Sequence, residues 1–193
     1  VLRSADVTIG FVSPTSCEVS ATLAVEGAAD VEHRIHAPDG TAIDLLDVVD
    51  ARGADPVRIV EATQALRVSV ANRAYTLRYR VRQPADRAFR CPIWLPTVAT
   101  DGVSRPVRIS VVLPDAMAPG ASMPAFAWNG TRGTVTLGHV PAFVRVPYGS
   151  ATEVRVWDTG RIMDAAAIVI FVAASAFWAW RRRGQRLVEP RSR

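Results

Sequence analysis

The side chains able to do chemistry in this chain are few: two cysteines, three histidines and a close-set group of arginines. Cys17 and Cys91 make up the whole thiol complement. Outside the cytoplasm such a pair is open to oxidation. A bond between them would close a loop of 74 residues, worth about 4 kcal/mol on the chain-entropy argument. Both cysteines sit on or beside expected strands, so two separate buried thiols is the competing expectation. A metal site is not expected from two lone cysteines, because zinc and iron–sulfur centres use close pairs.

His33 and His36 fall on opposite faces of an expected strand and are poorly placed to grip one metal. The third histidine is His139. Met117, Met123 and Met163 form no dense copper-binding pattern. The chain has no Gly-x-Ser-x-Gly elbow, Gly-rich phosphate loop, HExxH or kinase motif set. Its acidic residues scatter singly through strands and turns. The reading is a protein that is not an enzyme and needs no cofactor. Asn129-Gly130-Thr131 matches a glycosylation sequon, but the same three residues make a turn.

Arg78, Arg80 and Arg82 alternate along one strand and project together, with Arg87 and Arg90 nearby. Two expectations follow. Either acids on a neighbouring strand pair with them, or they form a docking patch for an acidic partner or for anionic lipid headgroups.

These residues need strands to position them, and the sequence supplies strand periodicity. Tyr75, Leu77, Tyr79 and Val81 alternate with Thr76, Arg78, Arg80 and Arg82, a pattern with one buried and one wet face. Cys17, Val19, Ala21, Leu23 and Val25 share a face, as do Val107, Ile109, Val111 and Leu113. Shorter strands are expected at Val31–His36, Ala42–Val49, Val57–Glu61, Ala65–Val70, Phe89–Leu95, Thr134–Val140 and Val154–Trp157. Turn signals stand at Pro38-Asp39-Gly40, Arg52-Gly53, Asp101-Gly102 and Asn129-Gly130. Many short strands at roughly ten-residue spacing predict a mainly β fold, an immunoglobulin-like β-sandwich. Pro114–Pro124 is the longest expected loop. It separates two sheets of one sandwich, or two subdomains over about 17–95 and 105–156. Tyr148-Gly149-Ser150 is expected to begin a short approach to the membrane.

That approach is implied by the end of the chain. Ile162 to Trp180 holds one charged residue, Asp164, near its outer end. As a helix it would be roughly 28 Å long, the thickness of a hydrocarbon core. Trp157 precedes it, Trp178 and Trp180 close it, and Arg181, Arg182 and Arg183 follow directly. Interfacial tryptophans and a basic flank predict a transmembrane helix over 157–181, with residues 1–156 outside and a short cytoplasmic tail over 182–193. A signal peptide removed ahead of Val1 fits that placement. The net charge of +5 lies mostly there. Val1 to Met163 carries 17 arginines against 16 acidic residues, whereas Asp164 to Arg193 carries six against two. The basic excess is therefore an orientation signal, and nucleic acid is not an expected partner. Ala165, Ala166, Ala167, Ala173, Ala174, Ser175, Ala176 and Ala179 let another helix approach closely.

The expected function is a single-pass accessory subunit of the inner (plasma) membrane. Its partners are the lipid bilayer and an integral membrane protein complex, such as a photosynthetic or respiratory electron-transfer complex. The alternative is a membrane-tethered binding or assembly module that engages its partner transiently.

Overall fold

A computed structural model of the 193-residue chain describes residues 1–60, 63–70, 73–84, 88–100, 106–150, 166–175 and 178. The chain divides into two compact units, Val1–Val154 and Arg155–Arg193.

The first unit is mainly β. Its described strands are β1 (Leu2–Ser13), β2 (Ser16–Val25), β3 (Asp30–His36), β4 (Ala42–Val49), β5 (Ala51–Ala54), β6 (Arg58–Val60), β7 (Thr63–Val70) and β8 (Ala74–Arg82). After these come β9 (Ala88–Pro92), β10 (Leu95–Pro96), β11 (Val107–Val112), β12 (Ala118–Pro119), β13 (Ala127–Asn129), β14 (Arg132–Leu137) and β15 (Phe143–Gly149). Seven strands form one sheet in the order β13-β14-β11-β1-β2-β8-β4. A second sheet runs β10-β3-β7-β5, with β6 also on β7, and a third runs β12-β15-β9.

Period-two patterning decides which way each sheet faces. On β8, Tyr75, Leu77, Tyr79 and Val81 are buried while Arg78, Arg80 and Arg82 are exposed. On β2 the buried set is Cys17, Val19, Ala21, Leu23 and Val25, and on β11 it is Val107, Ile109 and Val111. Val31, His33 and Ile35 of β3 and Leu66, Val68 and Val70 of β7 join the same continuous core. So do Phe89, Cys91, Val144, Val146 and Tyr148 of the third sheet. The arrangement is β-sandwich-like, with apolar faces inward and charged faces in water.

The division at 17–95 and 105–156 does not appear, because strands from both stretches pair with each other. β15 lies beside β9, with Val144 opposite Cys91. β11 lies parallel to β1, from Ala5 opposite Val107 to Gly10 opposite Val112, and β1 pairs antiparallel with β2. Splitting the chain there would cut two sheets.

Local chemistry sets the turns. Gly40 has φ of 75°, and the Thr41 amide donates to the Pro38 carbonyl at 2.9 Å. That is the left-handed position of a Pro-started turn, which favours glycine. Gly130 has φ of 60° at the first central position of the β13–β14 hairpin, where Asn129 pairs with Arg132. Arg52-Gly53, expected to turn, instead lies in β5 at a bulge against β7. The chain bends just before, at Asp50, whose φ is 64° and which links β4 of the large sheet to β5 of the second; aspartate tolerates that region better than most residues. Asp101-Gly102 lies outside the described residues.

Pro114–Pro124 is more than a loop. Ala118 and Pro119 pair with β15, and Met123 exchanges two backbone hydrogen bonds with Arg145, at 3.0 and 2.8 Å. Tyr148 and Gly149 belong to β15 rather than to an approach segment. The strand expected at Val154–Trp157 lies outside the described residues.

In the second unit, residues 166–175 form a helix, α1, and every one of them is exposed. No described helix is long and apolar enough to cross a membrane. Most of the expected span over 157–181 and the tail over 182–193 lie outside the described residues.

Candidate functional site

The interior brings together groups that the sequence left separate. Cys17 of β2 and Cys91 of β9 are fully buried, with Sγ atoms 3.6 Å apart and no bond between them. Burial pushes the Cys91 thiol well above its ordinary value, and the neighbouring Cys17 adds to the rise. Next to Cys91 in the chain, the Pro92 carbonyl accepts from the Tyr79 hydroxyl at 3.1 Å.

His33, on the inward face of β3, lies 2.7 Å from the Tyr75 hydroxyl through Nε2. The two rings meet edge to face with centroids 5.7 Å apart. Desolvation pushes the imidazole down to about 4, offset in part by the Trp94 main chain. His33 Nδ1 and the Trp94 indole N–H meet no partner of normal hydrogen-bond geometry. His33 is therefore a neutral core residue. His36, three positions on, is exposed and shares a 3.0 Å hydrogen bond with Thr63; His139 is exposed. Among the described residues, no group of three or more His, Cys, Asp or Glu could hold a metal.

The Arg78, Arg80 and Arg82 row stands on the wet face of the large sheet, as its alternation requires. Acids flank it on both sides. Glu18 of β2 pairs with Arg80 at 2.6 Å and Asp44 of β4 pairs with Arg82 at 2.8 Å. Asp47 stands opposite Arg78. Two of the three cations are thus matched within the sheet, which leaves little net field for an acidic ligand. Arg87 lies outside the described residues.

A different face has the opposite character, and of its cations the sequence singled out only Arg90, as a neighbour of the β8 row. On the third sheet Arg145 stands directly opposite Arg90, and Met123 is bridged to Arg145 from the other side. Phe143, two positions along β15, is 42% exposed and Met123 is 65% exposed. Among the described residues neither Arg90 nor Arg145 has an ion-pair partner. The inner side of the same sheet is closed by Phe89 and Tyr148 against Phe11, with ring centroids 5.0 and 5.3 Å apart. Two unmatched cations next to two exposed large apolar side chains make a surface suited to a partner with apolar and anionic groups.

An open groove of about 430 Å³ lies along β3, β6 and β7, lined by Glu32, Arg34, His36, Arg58, Val60 and Thr63 among others. Arg34 pairs with Glu32 at 2.7 Å, and that hydrogen bond holds the Glu32 carboxyl below its usual range. Ile59 and Val60 on β6 are largely exposed.

Of the expected membrane anchors, Trp178 is described, helical and exposed. Trp157, Trp180, Arg181, Arg182 and Arg183 lie outside the described residues. On α1, Ile168, Val169, Ile170, Phe171 and Val172 are each more than half exposed.

No family model and no curated protein sequence matches this chain. Among solved structures it is similar to an aminopeptidase N family protein from Idiomarina loihiensis, at 11% identity and a TM-score of 0.46. That likeness covers 75% of this chain and 29% of the other. An M1 zinc metallopeptidase from Deinococcus radiodurans gives 14% identity and a TM-score of 0.33, over 76% of this chain and 42% of the other. The chain thus spans less than half the length of these neighbours.

Proposed function

We propose that this protein is a non-catalytic, single-pass membrane accessory subunit. Its outer β-domain braces or covers a larger integral membrane complex, such as a photosynthetic or respiratory one. The observation that carries the reading is α1: ten residues, almost all apolar, with no polar stripe and every side chain exposed. A helix apolar all round needs lipid or protein against every face. The basic run from Arg181 then orients the segment with its C-terminus in the cytoplasm and the β-domain outside the inner membrane. The Phe143–Met123–Arg90–Arg145 face is the docking surface that the reading assigns to the partner.

The domain in this proposal is a wide sandwich. The immunoglobulin-like form has sheets of three to five strands, and a seven-stranded sheet with a parallel β1–β11 pair is a broader relative of that plan. The groove beside β6 favours a second reading, a tethered binding or assembly module that takes up an extended segment transiently.

Extraction from the native membrane in mild detergent tests the choice. A companion recovered at fixed stoichiometry is the expected result. A lone monomer in mild detergent overturns the subunit reading, and capture only during assembly of a complex selects the second.

A further inference from the structure

We propose that Cys17 and Cys91 are a disulfide site, oxidised as the chain folds, that staples the third sheet to the large sheet. The inference rests on the outside placement proposed above for its biological setting, and on geometry for its chemistry. The chain has two cysteines, 74 positions apart, on strands of different sheets. Folding brings their sulfur atoms to 3.6 Å in the unbonded pair from which the bond would form, with no solvent exposure at either residue. Neither belongs to a metal-ligand group among the described residues. A bond requires the sulfurs to close to about 2.05 Å, a small movement for two side chains already in contact.

The reaction balances by thiol–disulfide exchange with an external disulfide donor. The thiolate of one cysteine attacks a donor sulfur, and a donor thiolate leaves. The second cysteine thiolate then attacks the chain-side sulfur of that mixed disulfide, forming the Cys17–Cys91 bond and expelling the donor's other thiolate. The chain loses two protons and two electrons; the donor becomes a dithiol. In the folded domain both thiols are sealed from any donor. Exchange therefore occurs while the two sheets are still coming together, and the bond, once made, is shielded from reductants.

The staple also has a place in the fold. β9 carries β15, the last described strand before the second unit, with Val144 opposite Cys91. A Cys17 bond fixes that strand pair covalently to β2 in the seven-stranded sheet.

The test refolds the full chain, reduced and denatured, into mild detergent with a glutathione redox buffer, and then weighs it. The expected product is a monomer lighter than the reduced chain by two hydrogen atoms, with a Cys17–Cys91 peptide on digestion. Its melting temperature should fall by about 10 °C on reduction. Folded protein with two free thiols, with bound glutathione or with an intermolecular bond overturns the proposal. This readout needs no variant. As a second arm, Cys17→Ala, Cys91→Ala and the double variant should lose the same stabilisation without adding. Thiol trapping of the chain in its native membrane separates the two readings. Free thiols there, beside ready bond formation on refolding, would overturn the outside placement and leave the staple supported.

Discussion

On the face shared by β2, β8 and β4, arginines stand between acidic neighbours. On the outer face of the third sheet, Arg90 and Arg145 stand opposite each other, beside exposed Phe143 and Met123. The same residue type serves opposite ends. Arg80 and Arg82 complete a wet sheet surface, each with a carboxylate within 2.8 Å. Such exposed pairs contribute little to stability, typically below about 1 kcal/mol, but they cancel the field that a ligand would feel. Among the described residues, Arg90 and Arg145 have no such carboxylate. Like charges directly opposite on a sheet are destabilising, so this arrangement costs stability unless something outside the domain uses it. The difference teaches where to look for a partner: charge count points to the β8 row, and charge matching points to the third sheet.

The largest expected effect lies beneath both faces. Desolvation holds His33 near 4 in the folded domain, against an ordinary value of 6.5. The folded state therefore binds fewer protons than the unfolded chain between these values. The stability His33 contributes is full above pH 6.5 and is lost as pH falls toward 4, by about 3 kcal/mol at most. Denaturant midpoints between pH 7 and 4 should show this loss, and His33→Gln should flatten it. Any comparison of the two faces in acid would otherwise report the core.

A slightly smaller effect belongs to Gly133. A Cβ there would meet the Trp128 ring at 2.8 Å, closer than packing allows. Gly133→Ala should cost about 2 kcal/mol by overpacking, read from thermal melts. Companion retention at low temperature should be unchanged, because neither face is touched.

The comparison itself turns on the next variant. Arg90→Glu with Phe143→Ala should cut recovery of the detergent-extracted companion about tenfold. Arg90→Glu alone places opposite charges across from each other, so it should raise domain stability by about 0.5 kcal/mol while weakening retention. Arg80→Glu should do the reverse: a loss of about 1 kcal/mol against Glu18 and Asp44, with retention unchanged. Retention that follows Arg80 rather than Arg90 would break the assignment of the docking face.

Much of the fold was legible because its strands alternate cleanly. β8, β2, β3, β4, β7 and β11 follow the expected bounds within a residue or two. β1 was not among the expected strands although Ala5, Val7 and Ile9 are buried and alternate with exposed Ser4, Asp6 and Thr8; the small Ala5 and the following Gly10 shorten its apolar signal. β15 escaped because Pro147 reads as a strand breaker. Its carbonyl still accepts from the Gly120 amide at 2.9 Å, so the proline costs the sheet a donor but not an acceptor. The candidate site was less legible for a related reason. Alternation along β8 gives the direction of Arg78, Arg80 and Arg82, but not that Glu18 and Asp44 lie beside them. The pairing of Arg90 with Arg145 and the nearness of Met123 exist only through cross-strand register between distant segments. Likewise the two cysteines were visible as a pair of thiols, while their meeting depends on how the third sheet packs.

The parallel pairing of β1 with β11 has a consequence for how the chain comes to be folded. β1 sits in the interior of the large sheet, yet one of its two neighbours lies about a hundred residues downstream, with Ala5 opposite Val107. That sheet cannot close until most of the domain has been made. Closing so long a loop comes before the contacts that reward it, which slows folding and keeps strand edges exposed for longer. A chain of this topology emerging from a ribosome or a membrane channel would hold its first strand unsatisfied on one edge until β11 arrives. The large sheet is thus set by a contact that forms only late in the making of the chain.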